Sequence, residues 1–316
     1  GRRGAGAESA GWVAATVRAR AMSRRRLGRE AVRELAGAPD LQGALGRLVR
    51  SPYGREVRVG MTLAEAERAV VAAAVWNVRV LSGWLPREGV RMLRVLVSPV
   101  EVADVVDHLE HLSRGAPGPG PVPFRLGALA TAWPRLAGTT TPDELRAALA
   151  VSPWGDPGGT SPREVALALR LAACDRIASA VPAASGWATG SAALLLAREL
   201  AAGRPLPPRV REDVAAVLGT DVAEVPTLAA LPAVLPRGAA PALAGVSGPE
   251  DLWRAEARWW TAVERDAFRL ARGSRPGPDS PVAAVALLAV DAWRVRAALE
   301  SAARHGRALE DFDAVA

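Results

Sequence analysis

Residues 51–54 read Ser-Pro-Tyr-Gly, and the pattern returns at residues 152–155 as Ser-Pro-Trp-Gly. After a short linker, each turn is followed by a capping-box pattern, Thr-Leu-Ala-Glu at residues 62–65 and Ser-Pro-Arg-Glu at residues 161–164. In a capping box the Ser or Thr side chain accepts a hydrogen bond from the N3 amide, and the Glu accepts one from the cap amide. The sequence therefore predicts two related units, each with a small aromatic turn that leads into a capped helix.

A third unit is indicated more faintly from residue 206 to residue 316. Residues 247–250 read Ser-Gly-Pro-Glu and open a predicted helix that carries Trp259 and Trp260. Repeated helical units are typical of proteins that act through shape and contact, and not through chemistry at one cleft. We expect four residues to form the structural turns: Tyr53, Gly54, Trp154 and Gly155.

Further helix starts and a helical period predict an all-α fold with three pseudo-repeated helical units. Residues 98–101, 141–144 and 161–164 each place Ser or Thr at the cap, Pro at N1 and an acid at N3. The fixed φ of proline and its missing N–H cost nothing at N1. Apolar residues recur at helical spacing after residue 62 and again near the end, and no sustained alternating run indicates a strand. The two predicted faces are Leu63, Ala66, Val70, Ala74 and Val78, and Val285, Leu288, Trp293, Ala297 and Leu299.

Clusters of Pro and Gly divide the chain into candidate units. Residues 116–123 read Ala-Pro-Gly-Pro-Gly-Pro-Val-Pro, which is typical of a linker or an exposed loop. Residues 1–11 hold no apolar anchor before Trp12, so we expect them to be disordered. The predicted order is a disordered segment at 1–11, helical unit 1 at 12–115, a linker at 116–124, helical unit 2 at 125–205 and helical unit 3 at 206–316.

Composition excludes several functional classes. The chain has 316 residues, of which 50% are hydrophobic and 23% charged, and this supplies enough apolar surface for a large core. All 40 basic residues are arginine. Without lysine there is neither a P-loop lysine nor a Schiff-base lysine, so we expect no ATP hydrolysis by a Walker-type mechanism. Cys174 is the only cysteine, and therefore no intrachain disulfide can form.

No segment has the pattern of a membrane span. The longest uncharged stretch, residues 177–197, is rich in Ala, Ser and Gly and contains Pro182. We interpret it as a buried helix, a turn and the start of another helix. The first residues show no signal-peptide pattern. We therefore expect a chain with no direct membrane span.

The basic character of the chain is confined to its first residues. Residues 1–33 hold nine arginines and two glutamates and account for the net charge of +7, while 31 arginines and 31 acids balance in the remainder. The patch has two interpretations: a docking surface for an acidic partner or an anionic membrane face, or an ordinary solvated helix face. The candidate contact residues are Arg18, Arg20, Arg24, Arg25 and Arg26.

No constellation of residues indicates catalysis or a cofactor. Asp104, His108 and His111 fall on one predicted helix face, a spacing that suits a metal, but no HExxH pattern accompanies them. We favour a solvated acidic face at this position. Cys174 follows an apolar residue and is predicted to be a small core residue, not a nucleophile. We therefore predict no catalytic residue, no cofactor and no metal, and a chain that is not an enzyme.

Three short stretches resemble the C/d family of V-type ATPase proteins, which are the central-stalk sockets of bacterial and archaeal V/A-type rotary ATPases. Residues 17–22 read Val-Arg-Ala-Arg-Ala-Met and are similar to the Arg-Val-Arg-Ala-Arg helix that opens family members. Residues 45–54 are similar to a family helix that ends in a small Thr/Ser-x-Tyr-Gly turn. Residues 309–313, Leu-Glu-Asp-Phe-Asp, are similar to the acidic, Phe-containing tails of bacterial members.

The resemblance implies a non-catalytic, funnel-shaped rotor subunit that is peripheral on the cytoplasmic side of the plasma membrane. Its partners would be the central-shaft subunits and the membrane proteolipid ring, in a hetero-oligomer that couples ATP hydrolysis or synthesis to proton or ion transport. No nucleic acid is expected as a partner.

Two alternatives from other classes stay open. An Arg-rich helical scaffold would bind nucleic acid or another acidic partner through the basic patch, and its binding to nucleic acid would fall steeply with added salt. A metal-dependent enzyme would use His108 and His111, and metal analysis of the purified protein would test it.

Overall fold

The computed structural model describes residues 2–115, 118 and 120–304, with side chains from residue 9 onward. Within these residues the chain forms α-helices and short 3-10 helices and no β-strand, so the all-α prediction is confirmed. The helices are α1 (Arg2–Ser23), α2 (Arg29–Ala36), α3 (Leu41–Leu48), α4 (Leu63–Ser82), α5 (Arg87–Leu96), α6 (Ser98–Arg114), α7 (Trp133–Leu136), α8 (Pro142–Ala150), α9 (Pro162–Ala180), α10 (Ser185–Ala201), α11 (Pro208–Leu218), α12 (Thr220–Ala223), α13 (Leu231–Val234), α14 (Leu252–Ala271) and α15 (Asp279–Ala303).

Three predicted N-caps are confirmed. The Thr62 hydroxyl accepts a hydrogen bond from the Glu65 N–H at 3.3 Å, and the Glu65 carboxylate accepts one from the Thr62 N–H at 2.8 Å. This is a complete capping box at the start of α4, and the hydrogen bonds from Thr62 lower the pKa of Glu65. Thr141 and Ser161 accept the N3 amides of α8 and α9 at 3.1 and 3.3 Å.

The predicted cap at Ser98 is wrong. α6 begins at Ser98 itself, after Val97 as the cap residue, and the Ser98 hydroxyl donates to the main-chain oxygen of Val95 at 2.7 Å. The acid that a capping box would turn back to the cap amide is Glu101. It is buried instead, and it accepts hydrogen bonds from a later segment of the chain.

α1 includes most of the segment that was expected to be disordered. Residues 2–11 are helical, and residue 1 lies outside the described residues. Alanine and arginine, which are frequent in this segment, have high helix propensity. The later turns of the same helix are packed, with Ala15, Ala19 and Met22 buried. A helix that is fixed by its packed half continues through the earlier residues, although these residues have no apolar anchor of their own.

The chain forms two compact units, in contrast to the three consecutive units predicted from the sequence. Residues 2–93 and 260–304 make the first unit, and residues 94–259 make the second. The divisions fall within α5 and α14, and not at the Pro-rich segment 116–124, whose described residues form no helix. Hydrophobic periodicity shows which face of a helix is buried, but not which distant helix covers that face.

α15 is the centre of the first unit and packs against α1, α2, α3 and α4. The fully buried members of this core include Leu35, Leu45, Val70, Val295 and Leu299. On the predicted apolar face of α4, Ala66, Val70 and Val78 are buried, and Leu63 and Ala74 are half-buried. The first unit is therefore built from both ends of the sequence around one C-terminal helix.

α9 has the corresponding position in the second unit and packs against α6, α10 and α11. The long uncharged stretch at residues 177–197 folds as predicted, because α9 ends at Ala180, a 3-10 turn follows, and α10 begins at Ser185. None of the helices in the described part of the chain combines the length and the hydropathy of a membrane-spanning segment.

Candidate partner-contact surface

The arginines of the predicted contact set have different environments. Arg24 and Arg25 lie in the turn after α1, are exposed, and form no ion pair with any residue that the structure describes. Arg20 is also exposed, and its guanidinium donates to the main-chain oxygen of Gly273. Arg18 is half-buried. Arg24 and Arg25 are therefore the members of the set whose charges are open to a partner.

Arg26 was predicted to contact a partner, but its side chain points into the first unit. Its Nε donates to the main-chain oxygen of Ser23 at 2.7 Å, and its guanidinium carbon lies 4.8 Å from the ring centre of Phe268. One of its terminal nitrogens is 3.6 Å from the Glu264 carboxylate, and only 19% of its side chain is exposed. A cation over an aromatic ring adds to these attractions. Arg26 thus stabilises the turn between α1 and α2.

Arg26 belongs to a charge cluster around the buried carboxylate of Glu264. The Arg294 guanidinium donates two hydrogen bonds to this carboxylate, at 2.6 and 3.0 Å, and both side chains are buried. Arg29 donates to the same carboxylate from a more exposed position. Burial raises the pKa of Glu264, but hydrogen bonds from Arg294 and Arg29 outweigh burial and lower it to about 2. Glu264 is therefore ionised over the whole physiological range.

The Tyr53 turn is held by a buried carboxylate of α15. The Ser51 hydroxyl donates to the main-chain oxygen of Leu48 at 2.7 Å and accepts the Tyr53 N–H at 3.1 Å. The Tyr53 hydroxyl donates to Oδ2 of Asp291 at 2.7 Å. Asp291 also accepts the N–H groups of the two residues before α2, at 2.9 and 3.1 Å. Burial raises the pKa of Tyr53 well above its usual value, and the charge of Asp291 raises it further.

The Trp154 turn has the same construction with a carboxylate of α6. The Ser152 hydroxyl donates to the main-chain oxygen of Leu149 at 2.8 Å and accepts the Trp154 N–H at 3.1 Å. The Trp154 Nε1 donates to Oε1 of Glu101 at 2.8 Å. The N–H groups of residues 131 and 132, just before α7, donate to the same carboxylate. Each unit thus ties one aromatic turn and one helix start to one buried acid.

The sequence did not predict the two acids that hold these turns. Glu101 had the position of an N3 acid in a capping pattern, and Asp291 belonged to no motif. The available signal was composition, because Asp291 stands in a helix whose neighbouring residues are almost all apolar. A lone acid on such a face is buried only if hydrogen bonds satisfy it.

Gly54 and Gly155 are required for different reasons. A Cβ atom on Gly54 would collide with the main-chain oxygen of Val49. Gly155 has open space around it but a φ of 77°, in the left-handed region that glycine adopts without strain. The two turns therefore share their hydrogen bonds but not the reason for their glycine.

The structure adds two arginines that the sequence did not single out. Arg47, in the last turn of α3, and Arg50, in the turn after it, line one open groove together with Arg26, and the groove has a volume of about 390 Å³. Its walls come from α2, α3 and the residues that enter the Tyr53 turn. Both arginines lie after residue 33, where arginines and acids are equal in number. Net charge along the sequence therefore did not reveal that they are close together in the fold. We refer to this feature as the basic groove.

The residues considered for a metal site do not converge. The Asp104 carboxylate accepts the N–H of Phe124 at 3.0 Å, and His108 Nε2 lies 3.1 Å from the Thr139 hydroxyl oxygen. Burial lowers the pKa of His108. His111 packs beside Gly120. Among the residues that the structure describes, no three potential ligands lie close enough to hold a metal ion.

Cys174 lies in the apolar core of the second unit, as predicted. Burial raises the pKa of its thiol to about 11. The protonated thiol is a weak nucleophile, so this residue behaves as a small hydrophobic side chain.

No family model matches this chain, and no related curated protein is found. A functional assignment therefore depends on the motifs and the geometry described above.

Proposed function

We propose that this chain is a non-catalytic rotor subunit of a V/A-type rotary ATPase and that it joins the central shaft to the membrane proteolipid ring. The observation that supports this most is the shared construction of the Tyr53 and Trp154 turns. The Tyr53 turn ends the stretch at residues 45–54 that resembles the C/d family of V-type ATPase proteins. Two units in which a buried acid, Asp291 or Glu101, holds an aromatic turn and a helix start agree with a family of pseudo-repeated helical units.

Stiffness is the property that such a connecting protein needs. Asp291 joins α15 to the Tyr53 turn and to the start of α2, and Glu101 joins α6 to the Trp154 turn and to the start of α7. Hydrogen bonds to an ionised acceptor are about twice as strong as neutral ones. Each unit therefore resists local opening at the place where its helices meet.

The partners in this proposal are the shaft subunits and the ring, with the chain peripheral on the cytoplasmic side of the plasma membrane. Arg24 and Arg25 are the exposed charges of the predicted contact set. At physiological salt, exposed charges farther apart than a Debye length of about 8 Å are largely screened. These arginines would therefore act only in close contact with acidic side chains of a partner.

Co-purification tests the assignment directly. The full-length chain with an affinity tag would be isolated from membranes of its native host in mild detergent at low salt. We expect mass spectrometry to identify shaft and ring subunits of a rotary ATPase. If neither shaft nor ring subunits accompany the wild-type chain, the assignment is overturned.

A matched pair of variants tests the contact residues. Arg24→Gln with Arg25→Gln removes two exposed charges, while Arg26 is retained because it contacts Glu264 and Phe268. Arg87→Gln with Arg91→Gln makes the same charge change on an exposed face of α5. We expect the first pair to weaken binding to purified shaft or ring subunits more than the second pair does. Equal binding by the two double variants would remove the contact role of Arg24 and Arg25.

The same exposed arginines favour a second candidate function, an Arg-rich scaffold that binds nucleic acid or another acidic partner. A labelled DNA duplex of mixed sequence would be titrated with the full chain at increasing salt. Binding that weakens steeply as salt is raised would support this candidate. Absence of binding at low salt would exclude nucleic acid as the partner.

A further inference from the structure

We propose that the basic groove binds an acidic segment of a partner protein, with an apolar side chain of that segment seated between the helices and its carboxylates paired with Arg47 and Arg50. This inference deepens the proposed function and rests on it for the role of the partner. The surface and the chemistry of the ligand follow from the first unit alone.

The charge of the groove favours an anion. Arg26, Arg47 and Arg50 line it, Glu34 is the only acid among its lining residues, and the Arg26 charge is already paired with Glu264, which leaves Arg47 and Arg50 for a ligand. Arg47 donates to the main-chain oxygen of Glu34, which fixes its guanidinium across the groove from α3 to α2. A guanidinium has five N–H donors, so one fixed contact leaves others for a carboxylate. Arg50 is exposed and forms no ion pair with any described residue.

The exposed arginines of the predicted contact set are neighbours of the basic groove in sequence. Arg24 and Arg25 directly precede Arg26 in the turn between α1 and α2. The charges that are open to a ligand at the groove are therefore those of Arg47 and Arg50, because Arg26 is engaged by Glu264. A single carboxylate cannot use charges spread over such a surface, whereas a segment with several acids can.

The lining between the charges is apolar. Leu27 and Ala31 are half-buried and Pro52 is exposed, while Leu35 and Leu48 form the buried floor. Covering apolar surface contributes roughly 25 cal/mol for each Å² removed from water. An apolar side chain between two acids of the ligand would cover this surface while its neighbours reach the arginines.

The same lining argues for a protein segment and against a nucleic acid. Single-stranded nucleic acid is held by a charged groove together with aromatic side chains on which bases stack. The basic groove has arginines but no aromatic residue among its lining residues. A phosphate backbone would leave the apolar part of the groove without a partner.

Fluorescence anisotropy with the full chain tests this proposal. The probe is a fluorescein-labelled peptide, Gly-Glu-Asp-Leu-Glu-Phe-Asp-Glu-Gly. We expect saturable binding that is lost when Lys replaces each acid, and that weakens when Ser replaces Leu and Phe. Arg47→Gln with Arg50→Gln should weaken binding roughly tenfold, because two ion pairs with the peptide are lost. Arg87→Gln with Arg91→Gln is the matched control and should bind as the wild type does.

A variant that changes shape and not charge completes the test. Ala31→Phe fills the groove from a half-exposed position of α2, and circular dichroism would verify that it folds. We expect it to bind the peptide much more weakly than the wild type. Wild-type affinity in Ala31→Phe would mean that the arginines attract acids without a groove, and would overturn the proposal.

Two further measurements separate other occupants. Competition by the DNA duplex at equal charge concentration would assign the surface to nucleic acid and overturn the proposal. A variant that ends after Arg304 lacks residues 309–313, Leu-Glu-Asp-Phe-Asp. If this variant bound the peptide much more tightly than the wild type, the chain's own segment would be the occupant of the groove, and the assignment to a partner protein would be overturned. Failure of the peptide to bind, together with recovery of shaft or ring subunits in co-purification, would refute the groove and leave the rotor assignment intact.

Discussion

The hydroxyl of Tyr53 donates a hydrogen bond of 2.7 Å to Oδ2 of Asp291, which connects two residues that are 238 positions apart in the sequence. Trp154 and Glu101 make the equivalent contact within the second unit, over 53 positions. In both cases the acceptor is a buried carboxylate whose other hydrogen bonds come from main-chain amides at a helix start. The polar hydrogen of each aromatic side chain therefore has a hydrogen-bond acceptor only when the helix that carries the acid is packed against the turn.

Tyr53→Phe removes this hydrogen bond and preserves the ring. We expect the free energy of unfolding to fall by about 1.5–3 kcal/mol, because the lost bond is one to a charged acceptor in a buried site. Chemical denaturation would show a lower midpoint with an unchanged m-value. If Tyr53→Phe had the denaturation midpoint of the wild type, the Asp291 carboxylate would not need the hydrogen bond from Tyr53.

The ionisation of Tyr53 gives a second test, and Tyr53 is the only tyrosine of the chain. Burial and the Asp291 charge raise its pKa well above 10.0 in the folded protein. When folding raises the pKa of an acid, its contribution to the free energy of unfolding is complete below the pKa of the unfolded state. That contribution is lost as pH rises from the unfolded-state pKa towards the folded-state pKa. Tyrosinate absorbance should therefore stay flat through pH 10 and appear together with loss of helical circular dichroism. An ordinary titration in the folded protein would contradict the buried position of Tyr53.

Glu264→Gln tests the charge cluster of the first unit. The substitution removes the negative charge of a buried ion pair with Arg294, and breaking such a pair costs about 3–5 kcal/mol. Arg265→Gln is a suitable control, because its neighbour Asp266 is a surface partner and exposed pairs contribute little. We expect denaturation of Glu264→Gln at a clearly lower denaturant concentration and of the control near the wild-type value.

The pH dependence of stability follows from the same carboxylate. The pKa of Glu264 is lowered from 4.5 to about 2 in the folded protein. Its contribution to the free energy of unfolding is therefore complete above pH 4.5 and is lost as pH falls towards 2. This contribution is about 3 kcal/mol. Acid titration of stability should therefore be shallower for Glu264→Gln than for the wild type over this interval. Identical slopes would indicate that Glu264 has an ordinary pKa.

The N-caps are tested by Thr141→Ala and Ser161→Ala, each of which should destabilise the protein by about 1 kcal/mol. Ser98→Ala is an informative comparison, because the Ser98 hydroxyl donates to Val95 and caps no helix. We expect a smaller decrease in denaturation midpoint for Ser98→Ala than for the two cap variants. If Ser98→Ala lowered the denaturation midpoint more than either cap variant, the assignment of Thr141 and Ser161, and not Ser98, as N-caps would be contradicted.

The local part of the fold could be predicted from the sequence. Caps such as Thr62 and Ser161 depend on residues three positions apart, and the apolar face of α4 depends on a period of four. The turns at Tyr53 and Trp154 were recognised because one short pattern occurs twice. All of these signals lie within a few residues of the feature that they describe.

The assignment of distant segments to one core could not be predicted in this way. Asp291 accepts hydrogen bonds from amides at the start of α2, and Arg47 and Arg26 line one groove, but no local pattern connects the members of either pair. Ser98 failed as a cap because Glu101 has a tertiary role that outweighs its local one. Residues 2–11, for which the sequence predicts disorder, continue α1, because helix formation is cooperative along a helix.

The use of both chain ends in the first unit has a consequence for biosynthesis. α2, α3 and α4 are translated early, but Val295 and Leu299, which complete their core, and Asp291, which accepts their turn, are made near the end. Ribosomes add about 5–20 residues each second, so these early helices wait on the order of ten seconds or more with apolar faces uncovered. The second unit is continuous in sequence and has all its helices before α15 exists. Residues 29–82 thus leave the ribosome well before the helix that completes their core, and we expect their apolar faces to be bound by chaperones in that interval.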